Sequence, residues 1–282
     1  IHLSAPHLPP VCSSRKEWVT LLINVLLIGG RGNIGSGLRT YLPRLDAGYR
    51  ITSIDLPGSV DKATEADAQR DFVDLDICEQ PGELSRLMQG RDLVVYLARK
   101  GSLQVMNAMT DLVFETVLQQ DPVPMVVASS SVHACDGAYD VDEEPWSLWA
   151  ERRFDDLDPK PKQILSSIDA CPTNGYGEEK AYVEGWCRRM ADAGHGAVAA
   201  RWGGINARNQ MSKERGYFAL WCHQEDAARF VHACYRTQQN GGVPSTHYFV
   251  VSNNTYNIFD LEIPRREIGY HPTHDAEAFY HG

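Results

Sequence analysis

Hydrophobic positions along the chain fall into short runs with two rhythms. Asn24-Val-Leu-Leu-Ile28 is apolar almost throughout, as expected of a parallel strand covered on both faces. Leu38, Tyr41 and Leu42 follow at helical spacing. Tyr49–Ile54 reads as a second strand ending at Asp55, and Asp71–Asp74 as a short third. Glu83–Gln89 reads as a helix and Leu93–Leu97 as a fourth strand. Leu103, Met106, Leu112, Val113, Val117 and Leu118 form a helical stripe, and Met125–Ala128 a fifth strand. Tyr176–Asp192 reads as a helix and Gly196–Ala200 as a sixth strand. Strands alternating with helices at this spacing predict an α/β fold with a doubly wound parallel sheet. Residues 136–174, rich in acids and prolines and holding two tryptophans, form the widest irregular stretch and read as a lid or binding loop.

Composition narrows the class. Hydrophobic residues make up 43% and charged residues 23% of 282 positions, ample for a core. Twenty-seven Lys and Arg against 37 Asp and Glu give a net charge of −10. Such a surface repels phosphate backbones and anionic lipid, so neither nucleic acid nor membrane is expected as a partner. The seven cysteines contain no C-x-x-C pair, which points to reduced thiols in a cytoplasmic protein. The apolar run from Trp18 to Gly30 carries Asn24 and falls short of the ~20 residues that span a bilayer. It also lacks a small-residue cleavage pattern, so no signal peptide is read. His133, His223 and His247 are scattered without metal-ligand spacing, and no metal is expected. His223 reads as a wall of the cleft or a satisfied, partly buried group.

Two motifs carry chemistry. Gly29-Gly-Arg-Gly-Asn-Ile-Gly35 lies between a strand and a helix, with Gly29, Gly32 and Gly35 at G-x-x-G-x-x-G spacing. Small residues there allow a tight turn and let backbone approach a pyrophosphate at a helix N-terminus. Asp55, 20 residues beyond Gly35, is placed to accept hydrogen bonds from the adenosine ribose, which favours NAD over NADP. Arg31 in the turn is the counter-signal, a cation able to meet a phosphate. Asp74, after the third strand, is placed to meet the adenine amino group. The second motif is Tyr176-Gly-Glu-Glu-Lys180. Residues four apart stack on one helix face. An ammonium there, with the nicotinamide cation, stabilises phenolate, so the phenol can take a proton from a substrate alcohol. Ser129-Ser130-Ser131 follows the fifth strand, whose end points into the ligand crevice of such a sheet. Arg201, Arg208, Lys213 and Arg215 cluster after the sixth strand. They read as an anion clamp or as a solvated loop. Trp146 and Trp149 read as a stacking surface for a sugar ring or as packing under a lid.

Together these motifs resemble the extended branch of the short-chain dehydrogenase/reductase superfamily, the NAD-dependent epimerase/dehydratase group. Asp74-Leu-Asp, Tyr96-Leu-Ala, Asp142-Glu-Glu-Pro145 and Pro172–Lys180 add to the likeness, which covers residues 24 to about 275. Within the group the chain looks most like the uronate dehydrogenases. The likeness rests on Ala128-Ser-Ser130, Arg201-Trp-Gly-Gly-Ile205, Leu220–Ala227 and Arg266–Ala276. Two departures fall on the substrate side: the 46 residues between Ser130 and Tyr176 exceed the family's segment, and Arg99-Lys100 replaces small residues after the fourth strand.

The resemblance implies a Rossmann-type domain at 24–200, preceded by an N-terminal extension at 1–23. A small substrate-binding lobe at 201–282 follows, interleaved with the 136–174 loop. It implies NAD as cofactor, held by Gly29, Gly32, Asn33, Ile34, Gly35, Asp55, Asp74, Leu75, Leu97, Ala98, Tyr176 and Lys180. Ser130 is then the catalytic serine, with Ser131 replacing it if the register slips by one. Tyr176 is the base and Lys180 its partner, and Ser130, Ser131, His133 and Arg215 are the expected substrate contacts. The reaction implied is NAD-dependent oxidation of a sugar or sugar-acid hydroxyl, at C1 giving a lactone. The alternatives are a nucleotide-sugar epimerase, dehydratase or reductase of the same family, and a non-catalytic NAD(P)-binding regulator. In the family the stripe at 103–118 and the Tyr176 helix form a dimer's four-helix bundle, so a homodimer is expected.

Overall fold

A computed structural model describes residues 21–280. The loose leader expected at residues 1–16, most of the extension at 1–23 and Cys12 lie outside the described residues. Chain order gives β1 (Ile23–Ile28), α1 (Asn33–Leu45), β2 (Tyr49–Asp55), β3 (Asp71–Asp74), α2 (Pro81–Met88), β4 (Leu93–Tyr96), α3 (Leu103–Leu118) and β5 (Met125–Ser131). There follow α4 (Trp146–Ala150), α5 (Gly175–Asp192), β6 (Ala197–Trp202), α6 (Tyr217–Leu220), α7 (Gln224–Gln239), β7 (His247–Val250) and α8 (Glu262–Ile268). The seven strands form one parallel sheet in the order β3-β2-β1-β4-β5-β6-β7, a Rossmann-type α/β fold.

The apolar runs read as doubly covered strands behave as such. Successive side chains of a strand point to opposite faces. Val25 and Leu27 therefore enter one core with Leu38 and Leu42 of α1 and Phe230, Val231 and Cys234 of α7. Leu26 and Ile28 enter the other, with Leu84 of α2, Val113 and Phe114 of α3 and Val183 and Cys187 of α5. Strand order reverses between β1 and β4, and a crevice opens at their carboxyl ends, where such sheets bind ligands.

Two expectations need correction. A boundary at residue 200 does not separate a sheet domain from a lobe. β7 pairs with β6 in register, and α7 packs along α1, so residues 224–250 complete the sheet and its cover. Their apolar side chains have nowhere else to be buried. The substrate side is built instead from 136–174, 203–221 and 251–280. Nor is 136–174 a free lid. Leu157 and Ile164 are buried, the Ile164 amide donates to Ile258 at 2.8 Å, and Phe154 stacks on Tyr256 at 3.7 Å. The loop is a fixed cap. No helix among the described residues is long and apolar enough to cross a membrane.

Helix α5 is fixed to the sheet by a buried ion pair. Arg201 donates to both oxygens of Glu184 at 2.8 Å, and Ser130 donates to the same carboxylate at 2.7 Å. All three are at most 3% exposed. Removing one partner strands a buried charge, so Glu184→Ala is expected to cost about 3–5 kcal/mol. The double change Glu184→Leu, Arg201→Met should cost less than Glu184→Ala alone, as read by denaturant unfolding.

Candidate active site

Three adjoining cavities follow the carboxyl ends of the strands. The first, about 360 Å³, is bounded by Gly29, Gly32, Asp55, Leu75, Leu97 and Ala98 among others. The second, about 240 Å³, shares Gly29, Gly32 and Leu97 with it and adds Asn33, Ile34, Gly35 and the Ser129–Ser131 segment. The third, about 790 Å³, shares Ser131, Tyr176 and Trp202 with the second and reaches His133 and Arg215. A continuous trough thus runs from a carboxylate at the end of β2, past the glycine turn, to Tyr176.

The glycine turn fits a dinucleotide. Gly29 sits at φ +92°, and a Cβ there would lie 2.7 Å from the Ala98 amide nitrogen, so the loops after β1 and β4 touch only because it is glycine. A Cβ on Gly35 would lie 2.5 Å from the Gly30 carbonyl. Gly32 differs. Its φ of −69° suits any residue, and its nearest neighbour would be 3.4 Å away. Its missing side chain serves only to keep the trough open where the N-terminus of α1 would face a diphosphate. Beneath the turn, buried Arg39 donates to the Gly30 carbonyl at 3.0 Å.

Asp55 accepts from the Arg31 amide at 2.9 Å and borders the first cavity. Asp74 does not border the trough. Its carboxylate pairs with Arg31 at 2.6 Å, so the cation in the turn is engaged by an acid. The carboxylate that does border the trough beyond β3 is Asp76, paired with Lys100 at 2.5 Å.

Around the phenol, Ser130 and Ser131 have different partners. The Ser130 hydroxyl is committed to Glu184, whereas Ser131 borders the second and third cavities with Tyr176 and is the serine that lowers the phenol's pKa. Side chains alternate along β5, so only one of these neighbours can face the trough. Asn174 caps α5 by accepting from the Gly177 amide at 2.9 Å, which fixes the turn carrying Tyr176. Partial burial raises the phenol's pKa, while Ser131 and Arg99 pull it down. Lys180 is 2% exposed, does not border the trough, and lies 5.2 Å from the centre of the tyrosine ring. Desolvation lowers the pKa of its ammonium, opposed by Glu179 at 3.3 Å. Glu179 also accepts from Arg99 at 2.7 Å, and the Arg99 guanidinium stands 5.1 Å from the centre of the same ring. The sequence reading missed Glu179, although Arg99 stood out as its signal.

On the far side of Tyr176, the His133 ring meets the phenol edge-on at 5.6 Å. Asp136 accepts from its Nδ1 at 2.9 Å and raises its pKa. Arg215 borders the third cavity but donates to Asp142 at 3.0 Å and Glu151 at 2.8 Å. Arg201 is buried under Glu184 and belongs to no anion clamp, and Arg208 and Lys213 do not border the trough. Trp149 donates to the Tyr256 carbonyl at 2.9 Å and packs on Phe154. Trp146 packs edge-on against Tyr139. Both tryptophans serve the cap.

The fold also brings His274 to His223 and Glu225 of the α7 N-terminus, all three within 4.8 Å of one another. Their chemistry suits a stacked pair better than an ion. His223 Nδ1 accepts from the Glu225 amide at 3.0 Å, so in the neutral ring the proton sits on Nε2. The two rings stack at 3.6 Å and 7°, and one ion cannot lie in both ring planes. Burial and its neighbour push His223 down to about 4, while Asp226 raises His274.

If Gly32 exists to leave room for the diphosphate, Gly32→Val should fold with unchanged circular dichroism yet bind NAD more than about tenfold more weakly by calorimetry. Unchanged NAD affinity would remove the diphosphate from this turn.

Several solved structures share the architecture. The glucuronic acid dehydrogenase from Chromohalobacter salexigens is 17% identical, with 93% of this chain and 88% of that one aligned at a TM-score of 0.67. The uronate dehydrogenase from Agrobacterium tumefaciens is also 17% identical, covering 92% and 88% at 0.66. The UDP-glucose 4-epimerase from Brucella ovis, solved in complex with NAD, is 16% identical, covering 89% and 94% at 0.57. At such identity the likeness is one of fold. No curated protein sequence matches the chain. The model of the NAD dependent epimerase/dehydratase family matches residues 25–206, and the chain, with its trough, its glycine turn and its tyrosine helix, belongs to that family.

Proposed function

We propose that the protein is an NAD-dependent oxidoreductase that oxidises a hydroxyl group of a sugar-type substrate. The observation that carries this reading is that Tyr176 and Ser131 border both the second and the third cavity. A hydroxyl bound on the far side meets the phenol and Ser131, while the cofactor's redox ring fits the near side. NAD, when bound, supplies the hydride acceptor that no side chain offers. Tyr176 as phenolate takes the hydroxyl proton, the substrate carbon loses hydride, and the C–O bond becomes C=O. At an anomeric hydroxyl the product is a lactone. Ser131 holds the reacting oxygen by hydrogen bond. Lys180 and Arg99 place positive charge near the ring, with Glu179 dividing its charge between them. The likeness in fold to uronate dehydrogenases supports a sugar-sized substrate.

The second reading is an epimerase or dehydratase acting on a nucleotide-sugar, favoured by the fold shared with UDP-glucose 4-epimerase. It requires cofactor to be reduced and regenerated in one turnover, so no net absorbance appears at 340 nm. A regulator that binds NAD(P) without turnover has no use for the Ser131, Tyr176 and Lys180 set. Free thiols at all six described cysteines fit the cytoplasm. Val105 and Leu118, 41% and 39% exposed on α3, support a homodimer across α3 and α5, readable by light scattering.

Reduced cofactor should accumulate at 340 nm with a sugar-type substrate, and Tyr176→Phe should lower kcat/KM about 10²- to 10⁴-fold. Because the base form is required, kcat/KM should climb with pH. Arg99→Leu should move that rise to higher pH, and Arg99→Lys should largely restore it. A profile indifferent to position 99 would leave Arg99 with a purely structural role.

A further inference from the structure

We propose that the substrate bound beside Tyr176 carries no anionic group, and that an amino sugar is preferred to its neutral parent. This rests on the sugar-oxidising reading above and narrows it. The third cavity presents more negative than positive charge, and its two cations are already matched. Arg215, the residue placed to greet a carboxylate, donates to Asp142 and Glu151 at 3.0 and 2.8 Å and to the Ser147 carbonyl at 3.3 Å. His133 is offset by Asp136 at 2.9 Å. Asp140 and Glu214 also border the cavity, and neither is ion-paired among the described residues.

Cations elsewhere do not reverse this balance. Arg201 is sealed under Glu184, and Arg99 and Lys180 share Glu179 on the cofactor side. Four of the five carboxylates, those at 136, 140, 142 and 151, belong to the cap. A carboxylate or diphosphate entering here must displace Arg215 from two acids and sit beside two more. A protonated amine meets Asp140 and Glu214 with no cation to displace. Coulomb attraction of an ammonium and repulsion of a carboxylate therefore act in the same direction.

Two matched sets test the inference: glucuronate, glucose and glucosamine, and galacturonate, galactose and galactosamine. Each set keeps the ring and varies the charge. Two readouts are taken on the full chain, NAD reduction at 340 nm and calorimetric binding to the NADH-loaded protein. The expected order of affinity is amine, then neutral sugar, then acid, with the spread shrinking as salt is added. The double variant Asp142→Asn, Glu151→Gln, at exposed positions that free Arg215, should improve uronate binding about tenfold. Should no sugar reduce NAD while the order of binding holds, the oxidation reading falls and the charge inference stands. A uronate binding tightest in either set, or none of the six binding at all, overturns the inference.

Discussion

Both carboxylate oxygens of Glu184 are committed to the Arg201 guanidinium, and Ser130 adds a third bond to the same group. Charges removed this far from water are tolerated only when fully paired and hydrogen-bonded. The geometry of that pairing therefore sets where α5 can lie on β5 and β6. Two turns above Glu184 on the same helix stands Tyr176, with Glu179 and Lys180 between them. The distance from the phenol to the end of β5, and so to Ser131, is inherited from this anchor. It also explains why one serine of the triplet is structural and its neighbour faces the trough.

The charges around the phenol are arranged differently from a simple tyrosine–lysine pair. Lys180 is desolvated and drawn to Glu179, which Arg99 also grips from the loop after β4. Burial raises the phenol's pKa, and Arg99 opposes that rise; in the proposed reaction the phenol would need further positive charge to act as a base.

The cap fixes the far end of the trough. Backbone hydrogen bonds and ring stacking stitch residues 136–174 to the segment at 256–260, and its acids line or back the third cavity. A segment held so firmly does not need to close over a ligand. It fixes shape and charge in advance, which lowers the ordering cost of binding.

Much of this was legible in the sequence because it is local. Strand rhythm, the glycine turn, Asp55 at a strand end and the four-residue step from Tyr176 to Lys180 depend on backbone periods of two and 3.6. The family resemblance rested on those local features. The seventh strand was hidden because Tyr248-Phe-Val250 is only a short apolar run, and its place in the sheet depends on β6 beside it. The choice between Ser130 and Ser131 was hidden for a related reason: alternation says that neighbours face opposite ways, but only the partner across the sheet, Arg201, says which way. The same holds for Asp74 against Asp76 and for the stacking of His223 on His274. Each depends on groups far apart in the chain, and long-range electrostatic and packing partners are specified by the folded sheet alone. The sequence by itself determined a dinucleotide fold with a tyrosine helix at its crevice; the tertiary structure decided which serine borders the cavities beside Tyr176 and which charges line them.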